Sequence, residues 1–531
     1  MNVLRSGVII FILIVLSACS NEEADNDHDS KANLNETGMP IVEEPITLEM
    51  FVPVDPDGFD EWEDILVWET YEDLTNVHIE WDKVAAEAQE EKRNLALGSN
   101  NMPDVFYASG MPVMDLMKHG EQGTFIELND LIEEYAPNLS QLMEENPEIR
   151  KSLTFPNGKI YSMPTILAPD AKSLRIGARP WINEAWLEEL DMSIPETTDE
   201  FYDYLRAVQD SDLMGDGEDS EIPFGAQGID EIVSWLKGSF GVGSTGHSYL
   251  DIDPDSGDLR FFPITDEYKQ MITYIRKLYD EELIEQNIFS IDVDQFRANG
   301  TEGLYGSTVY YDPTLLFGDG GENFVGAHAL EGPNGDKEYV AIGQLVTQFG
   351  AFVITNENEN PEAAVRWMDH FYSDEGIELM FMGVEGETFT KTDDGESEYI
   401  DDILNSPDGL TFEQELAKYV PWVNVYAPAM FKQEFFQGSE SSPLSLEAAE
   451  TLEPYLPEET WPVFTYTEEE NKRLSTLESD IGKYVEEARD LFISGNIDMS
   501  EWDDYVNKIE KMGLEEYMDI QKEAYDRYKS N

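Results

Sequence analysis

Ile46-Thr47-Leu48-Glu49-Met50-Phe51-Val52-Pro53-Val54, Val77-His78-Ile79-Glu80-Trp81 and Met102-Pro103-Asp104-Val105-Phe106-Tyr107 are three short apolar runs. Helical spacing fills the gaps between them, at about Ile65 to Leu74 and from Val84 to Leu97. Strand, helix, strand in this rhythm implies a parallel sheet covered by helices, so the fold class is α/β. Downstream the helices carry clear punctuation. Thr197-x-x-Glu200 reads as a capping box ahead of Phe201, Leu205 and Val208 on one face. Asn360-Pro361 reads as an N-cap followed by proline at the first helical position. The stripe Ile481, Tyr484, Val485, Ala488, Leu491 and Phe492 stops before Gly495, in a final segment that is mostly helical.

Upstream of Ile46 the chain changes character. Arg5, the apolar run Val8 to Leu16 and the small residues Leu16-Ser17-Ala18-Cys19 read as an export signal, with an apolar run too short to be a permanent membrane span. The single cysteine after L-S-A resembles a bacterial lipobox. Residues 1–18 are therefore expected to be a lipoprotein signal peptide and Cys19 the lipid-modified N-terminus, which puts the protein at the cell membrane, exposed outside the cytoplasm. Residues 19–44, rich in Asn, Asp, Glu and Ser, are expected to form a flexible tether.

Composition narrows the partners. With 33 basic and 112 acidic residues among 531, the formal net charge is −79. Phosphate binding needs clustered Lys and Arg, so nucleic acid is excluded as a partner. A hydrophobic content of 41% still supplies a substantial core. One cysteine excludes an internal disulfide framework and a Cys-based zinc site. Salt shortens the range of self-repulsion, so the chain is expected to fold better at high ionic strength.

Several blocks carry a family resemblance. Glu91-Lys92-Arg93-Asn94-Leu95-Ala96-Leu97 with Met102-Pro103-Asp104-Val105, then Phe125 to Leu139, then Asn157-Gly158-Lys159-Ile160-Tyr161-Ser162-Met163-Pro164, resemble the family 1 extracellular solute-binding proteins, in their LplA-like lipoprotein group. So do Leu278-Tyr279-Asp280-Glu281, Phe492-Ile493-Ser494-Gly495 and Ala524-Tyr525-Asp526-Arg527-Tyr528, all in collinear order. The resemblance implies a type II periplasmic-binding-protein-like fold, with two α/β lobes, a hinge that the chain crosses three times and a ligand cleft between the lobes. Crossings are expected near Thr165, Phe349 and Glu385. One lobe would then be 45–165 plus 350–386, and the other 166–349 plus 387–531. The implied function is capture of a carbohydrate, an oligosaccharide, by a monomeric receptor that delivers it to ABC permease subunits in the membrane.

Two sets of candidate site residues follow. The loop from Asp212 to Pro223 has Asp212, Asp216, Glu218 and Ser220 at alternating positions, Gly217 at the turn and Glu221 after them, as a calcium loop of the EF-hand type requires. Met214 stands where an oxygen donor belongs. Structural calcium and a solvated acidic turn are both open readings. For the ligand, aromatic faces should stack on sugar rings in a cleft at the carboxyl ends of strands. Position nominates Trp62, Trp235, Trp422 and Trp461, and the resemblance implies Tyr310 and Tyr311, which stand where family 1 sugar binders often place a stacking tryptophan. Arg175 and Arg179 flank the first expected crossing. They are candidates either for pairing with the carboxylate of a uronate-containing sugar or for neutralising nearby acids.

Other motifs point away from chemistry. Gly241-Val242-Gly243-Ser244-Thr245-Gly246 matches G-x-G-x-x-G but lacks a strand before it and a long helix after it. The six histidines are scattered without metal-ligand spacing, and no H-E-x-x-H or G-x-S-x-G occurs. The expectation is a non-enzymatic binding protein. A surface glycoside hydrolase and a polysaccharide-binding or sensor module are the alternatives.

Overall fold

The computed structural model describes residues 32–54, 62–99, 102–215, 217, 220–425 and 427–530. The export segment and Cys19 lie outside the described residues. Ten strands build two sheets. In chain order they are β1 (Ile46–Val54), β2 (Val77–Ala85), β3 (Val105–Met111), β4 (Met163–Leu167), β5 (Arg179–Asn183), β6 (Ile222–Ala226), β7 (Tyr305–Tyr310), β8 (Phe324–Gly326), β9 (Val346–Ile354) and β10 (Met430–Phe431). The first sheet has the order β10-β4-β9-β3-β1-β2 and the second β8-β5-β7-β6.

The first strands form as their pattern predicts. β1 pairs in parallel with β2 along its whole length, from Ile46 opposite Val77 to Val54 opposite Ala85, and then with β3. The connecting helix Leu66–Thr75 buries Val67, Trp68 and Tyr71, and it stops at Asn76, which takes the left-handed conformation that asparagine tolerates (φ 59°). β2 runs on to Ala85, so the next helix begins at Gln89, later than Val84, because pairing with β1 holds Val84 and Ala85 in the sheet. The first sheet is mixed, since β9 runs antiparallel to both β3 and β4.

The caps form with one departure each. Thr197 accepts the Glu200 N–H at 3.1 Å, but the Glu200 carboxylate turns to the Glu196 N–H rather than closing a box. Pro361 opens the helix Pro361–Asp369 as expected, while the Asn360 side chain makes no capping bond and Asn358 Oδ1 takes the Asn360 N–H instead.

Two principal cores divide the chain. The first runs from Ile41 to Leu174 and from Val346 to Phe436, and the second from Ile176 to Tyr339 and from Ala449 to Ala524. The expected tether 19–44 is therefore corrected at its end: Ile41 and Val42 are buried in the first core and the Ile41 N–H donates to the Thr75 carbonyl. The chain passes between the two cores three times. Two passages fall near the expected places. The third comes after Phe436, not near Glu385, so 387–436 packs in the first lobe rather than the second. The reason is tertiary: Met430 and Phe431 pair in parallel with Ile166 and Leu167 and add a sixth strand to the first sheet. A two-residue strand leaves no periodic trace in the sequence.

The crossings orient the lobes. One joins the carboxyl end of β4 to the amino end of β5, and the next leads from the carboxyl end of β8 to the amino end of β9. The third leaves β10 for the helix Pro443–Leu452, where Gly326 of β8 approaches Ala448 too closely for any side chain. The strand edges at which α/β folds bind ligands thus face each other across the hinge.

One buried carboxylate makes stability depend on pH. Asp369 accepts the N–H groups of Asn138 (3.1 Å) and Leu139 (2.8 Å) at the start of the helix Pro137–Glu145. Burial outweighs these bonds and pushes its carboxyl up to about 6, from 3.8. A folded-state value above the unfolded one gives stability that is complete below about pH 4 and lost as pH rises through about 6. The difference is worth about 3 kcal/mol. Urea midpoints are expected to fall between pH 4 and pH 7, and Asp369→Asn to flatten that slope; an unchanged slope would contradict the assignment.

Candidate functional site

At the carboxyl end of β7 two tyrosines take opposite roles. Tyr310 is 3% exposed and packs against Phe296 and Phe317 in the second lobe, and its hydroxyl accepts from Arg297 Nε at 3.1 Å. Tyr311, one residue on, is 41% exposed. Its backbone is held firmly, because Trp181 Nε1 donates to the carbonyls of both Tyr310 and Tyr311 at 3.0 Å. Gly177 of the first crossing lies beside the Tyr311 ring in the left-handed conformation (φ 60°), which only glycine adopts without strain.

Two carboxylates act on this phenol through their charge. Burial pushes the Tyr311 phenol up, and Glu440 and Glu231 push it further. Glu231 opens the helix Ile229–Leu236 that follows β6. Burial raises its own carboxyl, and its Oε2 has no hydrogen-bond partner among the described residues. Glu440 belongs to the third crossing and also lines a cavity of about 350 Å3 with Leu174, Trp422, Phe431 and Phe436. Trp422 is half-buried there, tilted against Phe436 with ring centres 4.9 Å apart and donating Nε1–H to the Phe381 carbonyl. Glu440 thus bears electrostatically on Tyr311 and lines the cavity that holds Trp422.

A larger cavity of about 640 Å3 lies on the crossings. Glu148 and Lys151 of the first lobe, Arg175 and Gln344 of the crossings, and Thr460 and Tyr528 of the second lobe line it. Arg175 is present but engaged: Nε donates to the Gly343 carbonyl at 3.0 Å and one terminal nitrogen to Thr460 Oγ1 at 3.1 Å. Arg179 is fully buried, and all three of its nitrogens donate within the hinge, to Gly177 and Ser445 carbonyls and to Ser173. Arg179 has every nitrogen engaged, whereas Arg175 uses only Nε and one terminal nitrogen and still lines the cavity.

Three nominated tryptophans are core residues in this structure. Trp62 (1% exposed) packs with Trp68 and Trp81, Trp235 (1%) with Phe201 and Phe224, and Trp461 (1%) with Phe464 and Tyr525. Their place beside loops, Gly238 or Pro462 suggested exposure, but packing across elements seals them. Glu231, Glu440 and Phe436 went unnoticed in the sequence. Nothing there distinguishes two carboxylates among 112 acidic residues.

The acidic loop after the helix Thr198–Gln209 turns at Gly215 and Gly217, both at positive φ (70° and 75°). Glu221 Oε1 accepts the Met214 N–H at 2.8 Å and closes the loop on itself. Asp216 and Glu218 lie outside the described residues. Among the described residues no group of three or more His, Cys, Asp or Glu is arranged to hold a metal. Asp212, Ser220 and Glu221 offer the hard oxygens that calcium takes, and Met214 offers no side-chain oxygen.

Comparison with known proteins gives a family. The model for "bacterial extracellular solute-binding protein" matches residues 57–378, more than half of the chain. The chain is 29% identical to the fructooligosaccharide ABC transporter substrate-binding protein FusA of Streptococcus pneumoniae, over 99% of this chain and 98% of that protein. It is 23% identical to the polygalacturonan/rhamnogalacturonan-binding protein YtcQ of Bacillus subtilis, over 86% and 87%. The solved structure of an EF-hand mutant of S. pneumoniae FusA in complex with fructo-nystose superposes with a TM-score of 0.73 at 27% identity, covering 92% of this chain and all of that one.

Proposed function

Since the chain belongs to the bacterial extracellular solute-binding protein family, we propose that it captures a neutral oligosaccharide between its two lobes and delivers it to an ABC importer. The observation that supports this reading is Tyr311, an exposed ring at the carboxyl end of β7 whose backbone Trp181 holds and whose phenol feels the charges of Glu440 and Glu231. Aromatic rings take the CH faces of sugars, and carboxylates take their hydroxyl hydrogens. The names of the relatives support the saccharide class, and the family's role supports binding without turnover.

Charge favours a neutral sugar. Arg179 is spent on backbone and hydroxyl partners and Arg175 is partly so, while Glu231 and Glu440 would repel a ligand carboxylate in a chain of net charge −79. Isothermal titration with a fructo-tetrasaccharide and a galacturonan tetrasaccharide tests this. The neutral ligand is expected to bind at least tenfold more tightly. Tighter binding of the uronate would overturn the ligand class, and release of new reducing ends would favour a hydrolase instead.

The finer readings follow. The protein acts as a monomer anchored through a lipid on Cys19, which metabolic palmitate labelling checks. The Asp212 to Glu221 loop binds a structural calcium ion. EF-hand variation in a relative and the loop closure by Glu221 support this. After chelation, added calcium at 100 times its dissociation constant should raise stability by about 2.7 kcal/mol. An unmoved melting curve and no heat of binding would exclude the site.

A further inference from the structure

The cavity of about 640 Å3 on the crossings shares no lining residue with the aromatic cavity at Trp422. Its size is that of a small-ligand site. Pro147, Pro169, Pro457 and Pro462 stand in its walls, and the fixed φ of each holds the walls in shape ahead of binding. Ile342, Leu345, Val346 and Leu456 give it an apolar side.

Charge decides what fits. Three cations and four carboxylates line the cavity. Lys172 is paired with Glu453, and Glu459 with Lys529 at 3.2 Å. That leaves Lys151 and Arg175, both half-buried, against Glu148 and Glu458, both exposed. Lys151, Glu148 and Glu458 make no ion pair or side-chain hydrogen bond among the described residues, and the charge of Glu148 bears on Arg175. Arg175 keeps one terminal nitrogen unused. Gln344 keeps its amide N–H groups, since only its Oε1 is taken, by the Val463 N–H at 3.1 Å.

We propose that this cavity binds a second class of ligand, a short zwitterionic peptide. Its terminal carboxylate accepts from Arg175, Lys151 and the Gln344 amide, its terminal ammonium meets Glu148 and Glu458, and its side chains lie along Ile342 and Leu345. The free charges balance, two against two, so a compact anion would meet both carboxylates and a compact cation both cations. A zwitterion satisfies all four, through charge-assisted bonds about twice as strong as neutral ones. A sugar lacks its platform here: Tyr528 is the one aromatic residue in the described lining, and Lys151 Nζ stands over its ring, 5.8 Å from the centre.

Isothermal titration of the full mature chain with trialanine tests the proposal. Trialanine is expected to bind saturably, and N-acetyl-trialanine amide, which lacks both end charges, about tenfold more weakly. Lys151→Gln and Glu458→Gln remove one partner at each end without emptying a core site, and each should weaken trialanine binding about fivefold. Tyr311→Ala, which disables the cleft, should bind trialanine as the parent does. No heat with trialanine, equal binding of the capped peptide, or tighter binding of gluconate or putrescine would overturn the site. So would unchanged affinity in both charge variants, or displacement of trialanine by a fructo-tetrasaccharide, which would place the peptide in the cleft. Because peptide and oligosaccharide are titrated separately, failure here leaves the cleft reading standing.

Discussion

Arg179→Ala is expected to cost about 3–5 kcal/mol of folding stability, the range found when one partner of a buried charged network is removed. The guanidinium is fully buried at the base of the hinge. It donates to the Ser173 hydroxyl and carbonyl and the Gly177 carbonyl of the first crossing, and to the Ser445 carbonyl in the helix Pro443–Leu452 after the third. Burial pushes its pKa down, and Tyr339, Glu440 and Asp312 pull it back up. Asp312, also fully buried, accepts from the hydroxyls of Ser442, which caps that helix, and Ser445 within it. One arginine and one aspartate of the second lobe thus clamp the third crossing, and removing the arginine orphans several acceptors beside a buried carboxylate. Arg179→Lys should recover only part of the loss, because an ammonium cannot reproduce the fork. Urea denaturation reads the effect. A change below about 1 kcal/mol for the alanine variant would show that the clamp is dispensable.

Tyr311→Ala is expected to weaken oligosaccharide binding by about 2–3 kcal/mol, or roughly 30- to 150-fold, as for a central aromatic anchor. Stability should hardly change, because the ring is 41% exposed and its position is set through the backbone by Trp181. Tyr310→Ala should do the reverse. It would empty a core site between Phe296 and Phe317, at about 3–5 kcal/mol of stability. Calorimetric titration and denaturation of both variants separate the two roles. If Tyr310→Ala remains folded and loses more affinity than Tyr311→Ala, the assignment of the neighbours is inverted.

Neighbouring residues with opposite fates show how far the sequence can be read. β1, β2 and the helix between them carry their periods openly, because alternation and helical spacing are local consequences of which face meets the core. The strand at Met430 and Phe431 is too short to have a period. It exists because β4 offers an open edge at Ile166 and Leu167, so the third crossing falls some fifty residues beyond its expected place. The aromatics divide in the same way. Residue type and a neighbouring glycine or proline could not tell Trp422, half-buried at a cavity, from Trp235 and Trp461, sealed in the second core.

The sequence by itself determined the α/β class, the helices and strands with clear periods, and, through collinear motifs, the family. It also supplied the expectation of a lipid anchor at Cys19. Those features depend on the backbone, on side-chain period and on short motifs. Only the tertiary structure decided that the Tyr311 ring is exposed and Trp422 lines a cavity while Trp62, Trp235 and Trp461 are sealed in cores, and that Arg175 and Arg179 hydrogen-bond within the hinge. Exposure and hydrogen-bond satisfaction are set by residues distant in the chain: Ser445 lies 266 positions from the arginine it holds.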